Sequence, residues 1–160
     1  MCNHLIPSVR ARWRPAAIVC TAIVATAQII AAQTHYPIFT ADNFVTTMKT
    51  VGRNFNGVNQ SISKSDFETA KAQLVRSREQ LAITITFWRD RQKEDAIRML
   101  KDSLAKMDAL DTALSAEQID AAAVGAKVKE ISGACQACHT EYREQDPATK
   151  AYRLKAGLTE

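Results

Sequence analysis

Between Phe39 and Asp146 the sequence contains no proline, and its apolar residues recur at spacings of three and four. Proline interrupts helices, and a spacing of three or four places residues on one helical face. Pro37 precedes this stretch and Pro147 follows it. No window alternates as a strand does over a useful length. The pattern therefore excludes an all-β sandwich and predicts an all-α fold.

Four apolar stripes predict four successive helices. The first stripe comprises Phe44, Met48, Val51, Phe55, Val58 and Ile62. The second comprises Phe67, Ala70, Leu74, Leu81, Ile85 and Trp88. The third comprises Ile97, Leu100, Leu104, Met107, Leu110 and Leu114. The fourth comprises Ile119, Ala123, Ala126, Ile131, Cys135, Cys138 and Tyr142. Short connections between such helices predict an antiparallel four-helix bundle.

Hydroxyl and acidic residues mark the expected helix starts. The predicted caps are Thr40 or Asp42 for the first helix, Ser65 for the second and Ser115 for the fourth. Ser65 and Ser115 are each followed three positions later by Glu or Gln, which is the capping-box pattern. We expect the fourth helix to run to about residue 145 and the tail, Ala148–Glu160, to be extended or loosely docked.

Residues 1–32 have the pattern of a secretory signal peptide. Three arginines precede an apolar stretch from Ala16 to Ala32, and no acidic residue occurs before Asp42. Cleavage after Ala27 or after Ala32 fits the small residues there. The stretch is shorter than the ~20 apolar residues of a membrane span, so we expect no stable membrane insertion after cleavage. The pattern predicts an exported bacterial protein of the periplasm, with a single domain at 33–160.

Cleavage also changes the charge and the cysteine count. It removes three of the 21 basic residues and none of the 17 acidic ones, so the formal net charge falls from +4 to about +1. The remaining basic residues are interleaved with acidic ones, which argues against a nucleic-acid-binding protein. Cys2 and Cys20 leave with the signal. Only Cys135 and Cys138 remain in the mature chain.

These two cysteines belong to the sequence Cys135-Gln136-Ala137-Cys138-His139, which has the C-x-x-C-H spacing of c-type haem attachment. Two thiols add across the two vinyl groups of one haem, and the adjacent imidazole binds the iron. On a helix, positions i, i+3 and i+4 share one face. The motif therefore predicts one covalently attached haem c per chain, with Cys135 and Cys138 binding the haem and His139 ligating the iron.

Other interpretations of the cysteine pair compete with haem. A thioredoxin-type redox pair would begin a helix in a βαβ unit, whereas this pair lies near the end of a helix. A zinc site would need further ligands, and the only other mature histidine is His35. We expect His35, at the chain end, to be exposed. A disulfide between residues three apart would stabilise little, because the closed loop is short.

The motif in its helical context resembles the class II c-type cytochromes, which comprise cytochrome c′ and its six-coordinate, low-spin relatives. The resemblance covers about residues 40–146. Arg143 matches a basic residue common after the haem motif in this family. Thr47-Met48-Lys49-Thr50-Val51-Gly52-Arg53-Asn54-Phe55 resembles the first-helix segment whose Met is the second axial ligand in low-spin members. The resemblance implies a four-helix bundle with haem on the last helix, and it allows a homodimer.

Met48 divides the functional hypotheses. If it ligates the iron, the haem is six-coordinate, and the expected function is single-electron transfer with redox partner proteins. If it is a core residue, the iron is five-coordinate and binds NO or CO, as cytochrome c′ does. Phe44, Val51 and Phe55 flank it as core and haem-wall residues. Arg143 either screens a haem propionate or complements the helix dipole. A haem-free interaction module is the third hypothesis.

Two further expectations complete the sequence-based picture. Trp88 is expected to be a partly buried anchor with its indole N–H at the edge of the core. No catalytic constellation is recognisable, because the few glycines form no phosphate-binding loop and no serine has a free histidine partner. We therefore predict that the protein is not an enzyme.

Overall fold

The structure is a computed structural model that describes residues 39–158. The described residues form five helices and one short hairpin. These are α1 Ala41–Ser63, α2 Phe67–Ile83, α3 Ile85–Asp90, α4 Glu94–Leu114, α5 Ala121–Tyr142, β1 Arg143–Gln145 and β2 Tyr152–Leu154. The prediction of a predominantly helical protein is confirmed. The predicted signal peptide 1–32 and His35 lie outside the described residues.

Helix α1 begins where the sequence predicted. The side chain of Thr40 accepts a hydrogen bond of 3.1 Å from the backbone N–H of Asn43. Such a cap satisfies one of the four amide donors that a helix start leaves unpaired. Of the two predicted caps, Thr40 is the one that caps α1, whereas Asp42 lies in the first turn of the helix.

The starts predicted for the second and fourth helices are wrong. Asp66 caps α2, and Asp120 caps α5 by accepting hydrogen bonds from two successive backbone amides. Ser65 has a positive φ of 58°, so it belongs to the turn that precedes α2. Ser115 ends α4, and its hydroxyl donates to the carbonyl of Asp111 at 2.7 Å. The Ser115 hydroxyl thus bonds back into α4, and Ser65 lies in the turn before α2, so neither serine caps the following helix.

The second predicted helix is interrupted near its end. Thr84 separates α2 from α3, and its hydroxyl donates to the carbonyl of Leu81 at 2.6 Å. The β-branched stretch around Ile83 and Ile85 is helical on both sides of the break, as expected, and forms no strand. A threonine hydroxyl that bonds back to the preceding turn commonly bends a helix.

The end of the last helix was predicted wrongly, whereas the tail is extended over residues 152–154, which agrees with one of its two expected forms. The helix ends at Tyr142 rather than near residue 145, and β1 pairs with β2 in antiparallel register. The backbone N–H groups of Ala148 and Thr149 donate to the Asp146 carboxylate at 2.9 and 2.8 Å, which turns the chain back. Leu154 is buried, so the tail is docked rather than loose.

Each long helix packs mainly against the long helix that precedes or follows it in the chain. Helix α1 contacts α2, α2 contacts α4, and α4 contacts α5, while the short α3 packs on α2 and α4. Four aromatic rings from α1, α3 and α5 join at one place, namely those of Phe44, Phe87, Trp88 and Tyr142. None of the described helices has the length and apolar character that crossing a membrane requires.

Candidate cofactor site

A cavity of about 950 Å³ opens between α1 and α5. Helix α1 supplies one wall with residues 44–56, and α5 supplies another with residues 132–142. The end of α2, Thr84, Trp88 and the middle of α4 complete the interior, and residues 151–154 of the hairpin region line its edge. The volume lies at the upper end of the range typical of small-molecule and cofactor sites.

The α5 wall carries the three residues of the predicted haem motif. Cys135, Cys138 and His139 all line the cavity, and all three are half-buried. Both cysteines are free thiols in this structure. Burial raises the pKa of the Cys135 thiol, and burial together with the Cys135 thiol raises the pKa of Cys138 to about 11. Both sulfurs are therefore protonated and uncharged at neutral pH.

His139 has the chemistry of a metal ligand. Burial, reinforced by the Arg143 cation, lowers the pKa of its imidazole below the ordinary value. The ring is therefore neutral at neutral pH, and the neutral form is the one that binds metals. Within the described part of the chain, the ring nitrogens make no hydrogen bond. No group of three or more His, Cys, Asp or Glu side chains among residues 39–158 could hold a metal ion, so these residues offer no donor set for zinc.

The α1 wall carries the predicted distal residues. Phe44, Met48, Val51 and Phe55 all line the cavity. Phe44 and Val51 are buried, whereas Met48 and Phe55 are half-buried and pack against the core. Helix α1 is fixed to α2 behind this wall, where the buried hydroxyl of Ser77 donates to the carbonyl of Val51 at 3.2 Å.

Arg143 is the eighth predicted site residue, and it also lines the cavity. It lies just beyond the end of α5, in extended backbone with φ −118° and ψ 142°. Its side chain is half-buried, and the guanidinium lies 4.0 Å from the centroid of the Tyr152 ring. The structure therefore brings together all eight residues that the sequence analysis selected.

The charged residues of the cavity wall are all cationic in the described part of the chain. They are Lys49, Arg53, Arg143 and Arg153. Arg153 is paired with Glu144 at 2.9 Å and lies 3.5 Å from Asp146, so part of its charge is balanced. A wall of this sign suits a cofactor that carries carboxylates at its edge.

Tyr142 and Trp88 line the cavity and contact each other. Their ring centroids are 4.7 Å apart, and the Tyr142 hydroxyl donates to the carboxylate of Asp95. Burial, together with this hydrogen bond, raises the pKa of Tyr142 far above its ordinary value. Trp88 is almost completely buried, so the expectation of a partly buried edge residue is wrong.

Sequence reasoning missed several lining residues. Thr84, Ser103 and the hairpin residues Tyr152 and Leu154 line the cavity, and none of them was expected to do so. The alternation of apolar Tyr152 and Leu154 with polar neighbours is the one signal that could have indicated the strand. Met107, a member of the third apolar stripe, is fully buried, and it lines the cavity as well.

Comparison of the sequence with protein families, with curated proteins and with solved structures finds no match. The case for a function therefore depends on the residues of this cavity and their chemistry.

Proposed function

We propose that the protein is an exported c-type cytochrome of the class II kind, which binds one covalent haem c and transfers single electrons. The observation that carries this proposal is the juxtaposition of Cys135, Cys138 and His139 with Met48 on the walls of one cavity. The motif residues and Met48 lie far apart in the chain, so their meeting is a property of the fold and not of sequence proximity.

The fit of a haem to this cavity has three supports. The two thiols are protonated, and each could add its S–H across a vinyl group without an oxidant, because no atom is lost. The neutral His139 imidazole has a free ring nitrogen in the described structure. The remaining lining is largely apolar, with cations at several positions, and this distribution suits a flat macrocycle with two carboxylates.

A four-helix bundle is part of the proposal. The cavity is lined by residues 44–56 of α1, by the end of α2, by the middle of α4 and by the last half of α5. The end of α2 thus lies beside the earlier part of α1, which is the arrangement of two antiparallel helices joined by a short connection. The break at Thr84 fits the same picture, because α3 and the end of α2 then serve as one bent helix.

A bound haem supplies an iron that changes between the ferrous and ferric states. Cys135 and Cys138 would hold it covalently, and His139 and Met48 would ligate the iron. A thioether ligand raises the reduction potential. The buried rings of Phe44 and Trp88 make their part of the cavity wall apolar. Arg143 would face a propionate. Exchange of electrons then requires redox partner proteins, and a homodimer is compatible with the proposal.

A second candidate keeps the same haem and leaves the sixth position open to NO or CO. It is favoured by the packing of Met48 against the hydrophobic core, since methionine commonly fills irregular gaps there. In that case Met48, Phe44 and Val51 would form an apolar pocket over the iron. The two candidates share every residue and differ only in whether Met48 binds the metal.

Covalent attachment is tested with the full chain, produced in bacteria that can attach haem c. After purification and denaturation, we expect haem to remain with the protein, which should be exported and cleaved after Ala27 or Ala32. The double variant Cys135→Ala, Cys138→Ala should lose the haem. The matched control, Cys2→Ala with Cys20→Ala, should retain it. Absence of covalent haem from the unmodified chain would refute both candidates.

The role of Met48 is tested by absorption spectra of the haem-loaded protein. Electron transfer with His139 and Met48 as ligands predicts a low-spin spectrum that becomes high-spin in Met48→Ala. The control is Met99→Ala, because Met99 is also half-buried but does not line the cavity. A high-spin unmodified protein that binds CO readily would instead establish the second candidate.

A further inference from the structure

The C-terminal hairpin spans the edge of the cavity between two helices. Its first strand continues directly from α5 at Arg143, and its second strand, β2, contacts α1. Residues 151–154 line the cavity together with Arg143. The hairpin therefore connects the helix that carries His139 with the helix that carries Met48.

The strand register places three cavity-lining side chains on one face of the hairpin. Arg143 pairs with Leu154, and Tyr152 lies two positions before Leu154 on the same strand face. The Arg143 guanidinium covers the Tyr152 ring in a cation–π contact. Arg153 and Glu144, one position away on each strand, form an ion pair that ties the strands together.

The tail is held on both sides of Leu154. The backbone N–H of Lys155 donates to the carbonyl of Tyr142 at 3.0 Å, next to the end of α5. Further along, the guanidinium of Arg91 donates to the carbonyl of Leu158 at 2.8 Å. Leu154 and Leu158 are 7% and 5% exposed. These contacts make the hairpin a docked element of the fold.

We propose that the hairpin is a strap across the cavity, and that Leu154 is the positioning residue through which it limits access of small molecules to Cys135, Cys138 and His139. Leu154 belongs both to the hydrophobic core and to the cavity wall. Its side chain therefore couples docking of the strap to closure of the edge. The proposal concerns access to the cavity and does not depend on the identity of the cofactor.

The test measures thiol reactivity in the full chain produced without attached haem. Cys2 and Cys20 are replaced by serine, so that Cys135 and Cys138 are the only reporters. The probe is uncharged dithiodipyridine, whose approach does not respond to the cations of the wall. The variants are Leu154→Ala and the matched control Leu158→Ala, which truncates a leucine that is equally buried in the same tail but does not line the cavity.

We expect Leu154→Ala to speed thiol labelling about tenfold, which corresponds to about 1.4 kcal/mol less free energy for opening the strap. Leu158→Ala should change the rate much less, although it removes as much buried leucine. Leu154→Met, which keeps most of the volume, should restore slow labelling. Tyr152→Ala should speed labelling by a smaller factor and Tyr152→Phe should not. Tyr152 is 55% exposed, so these two variants are expected to fold.

Equal acceleration by Leu154→Ala and Leu158→Ala would overturn the proposal, because the effect would then follow global stability. No acceleration in Leu154→Ala and Tyr152→Ala would overturn it as well. In haem-loaded protein, the same variants are compared by the rate at which uncharged hydroquinone reduces the haem iron. Equal acceleration by both leucine variants, or no acceleration by Leu154→Ala and Tyr152→Ala, would overturn the proposal there too. The thiol assay uses protein without haem, so it remains a valid test of the strap even if the haem proposal is refuted. Failure of one proposal can therefore be told apart from failure of the other.

Discussion

The apolar residues at the two ends of the described helices are of similar kinds, but they differ in how completely they are buried. At one end, the packed end, five core side chains are fully or almost fully buried, and none of them lines the cavity: Val58, Leu74, Leu110, Val124 and Ile131. At the other, the cavity end, Met48, Phe55, Cys135 and Cys138 are half-buried and line the cavity. Phe55 and Val58 lie one turn apart on one stripe, as do Ile131 and Cys135.

The difference shows that an apolar stripe identifies a face of a helix but not what that face contacts. Protein interiors contain few voids larger than a water molecule, and wall atoms that lack partners lose dispersion energy. A cavity of about 950 Å³ beside a close-packed core therefore leaves its wall atoms with fewer packing partners than the core atoms have.

The largest expected effect comes from truncating one leucine at each end. Leu110→Ala should lower the free energy of unfolding by about 4 kcal/mol, because Leu110 is completely buried in close packing. Leu100→Ala should cost about 2 kcal/mol in haem-free protein, because Leu100, although only 4% exposed, already faces the cavity. Urea denaturation followed by circular dichroism measures both values. Equal losses would remove the distinction between the ends.

The costs of Leu100→Ala and Leu110→Ala can also be compared in haem-loaded protein. If a cofactor fills the cavity, Leu100 gains contacts that it lacks in the haem-free chain, whereas the surroundings of Leu110 stay the same. The cost of Leu100→Ala should then rise towards that of Leu110→Ala in haem-loaded protein. A cost that does not change on loading would contradict a cofactor that packs against α4.

A smaller effect is expected from two buried serines. Ser77→Ala should cost about 1 kcal/mol, because the Ser77 hydroxyl joins α2 to the carbonyl of Val51 behind the α1 wall. Ser103→Ala should change stability by less than about 0.5 kcal/mol, because the Ser103 hydroxyl bonds only to Met99 in its own helix. Thermal unfolding of both variants tests this pair. A larger loss in Ser103→Ala would show that the cavity-lining hydroxyl has a further partner.

The sequence predicted the helical class from a local rule, the spacing of its apolar residues, and it selected eight residues that line one cavity. Periodicity identified the α1 stripe, and the motif spacing placed Cys135, Cys138 and His139 on one face. The hairpin escaped prediction because its strands are only three residues long, and their stability comes from docking of Leu154 onto distant helices. The break at Thr84 also escaped prediction, because apolar periodicity does not reveal the bond that the Thr84 hydroxyl donates to the carbonyl of Leu81.

The smallest expected effect concerns two aspartates that use the same local device at different places. Asp66 accepts a hydrogen bond from Thr69 at the start of α2, and Asp146 accepts from Thr149 in the hairpin turn. The side-chain and backbone hydrogen bonds of Thr69 lower the pKa of Asp66, and those of Thr149 lower the pKa of Asp146, in each case below the usual 3.8. A carboxylate with a lowered pKa stabilises the folded state above its unfolded pKa of 3.8, and this contribution disappears as the pH falls through the folded value.

Acid should therefore loosen both turns, but only loosening of the hairpin should expose the cavity. The other charged groups around Asp146 are Arg153, at 3.5 Å, and the Glu144 carboxylate that shares Arg153. Below pH 3.8 we expect faster dithiodipyridine labelling of the thiols, relative to a small unstructured thiol at the same pH. Asp146→Asn should show part of this acceleration already at neutral pH, whereas Asp66→Asn should not. If Asp66→Asn accelerates labelling as much, access to the cavity is governed by the whole fold, and the strap has no separate role.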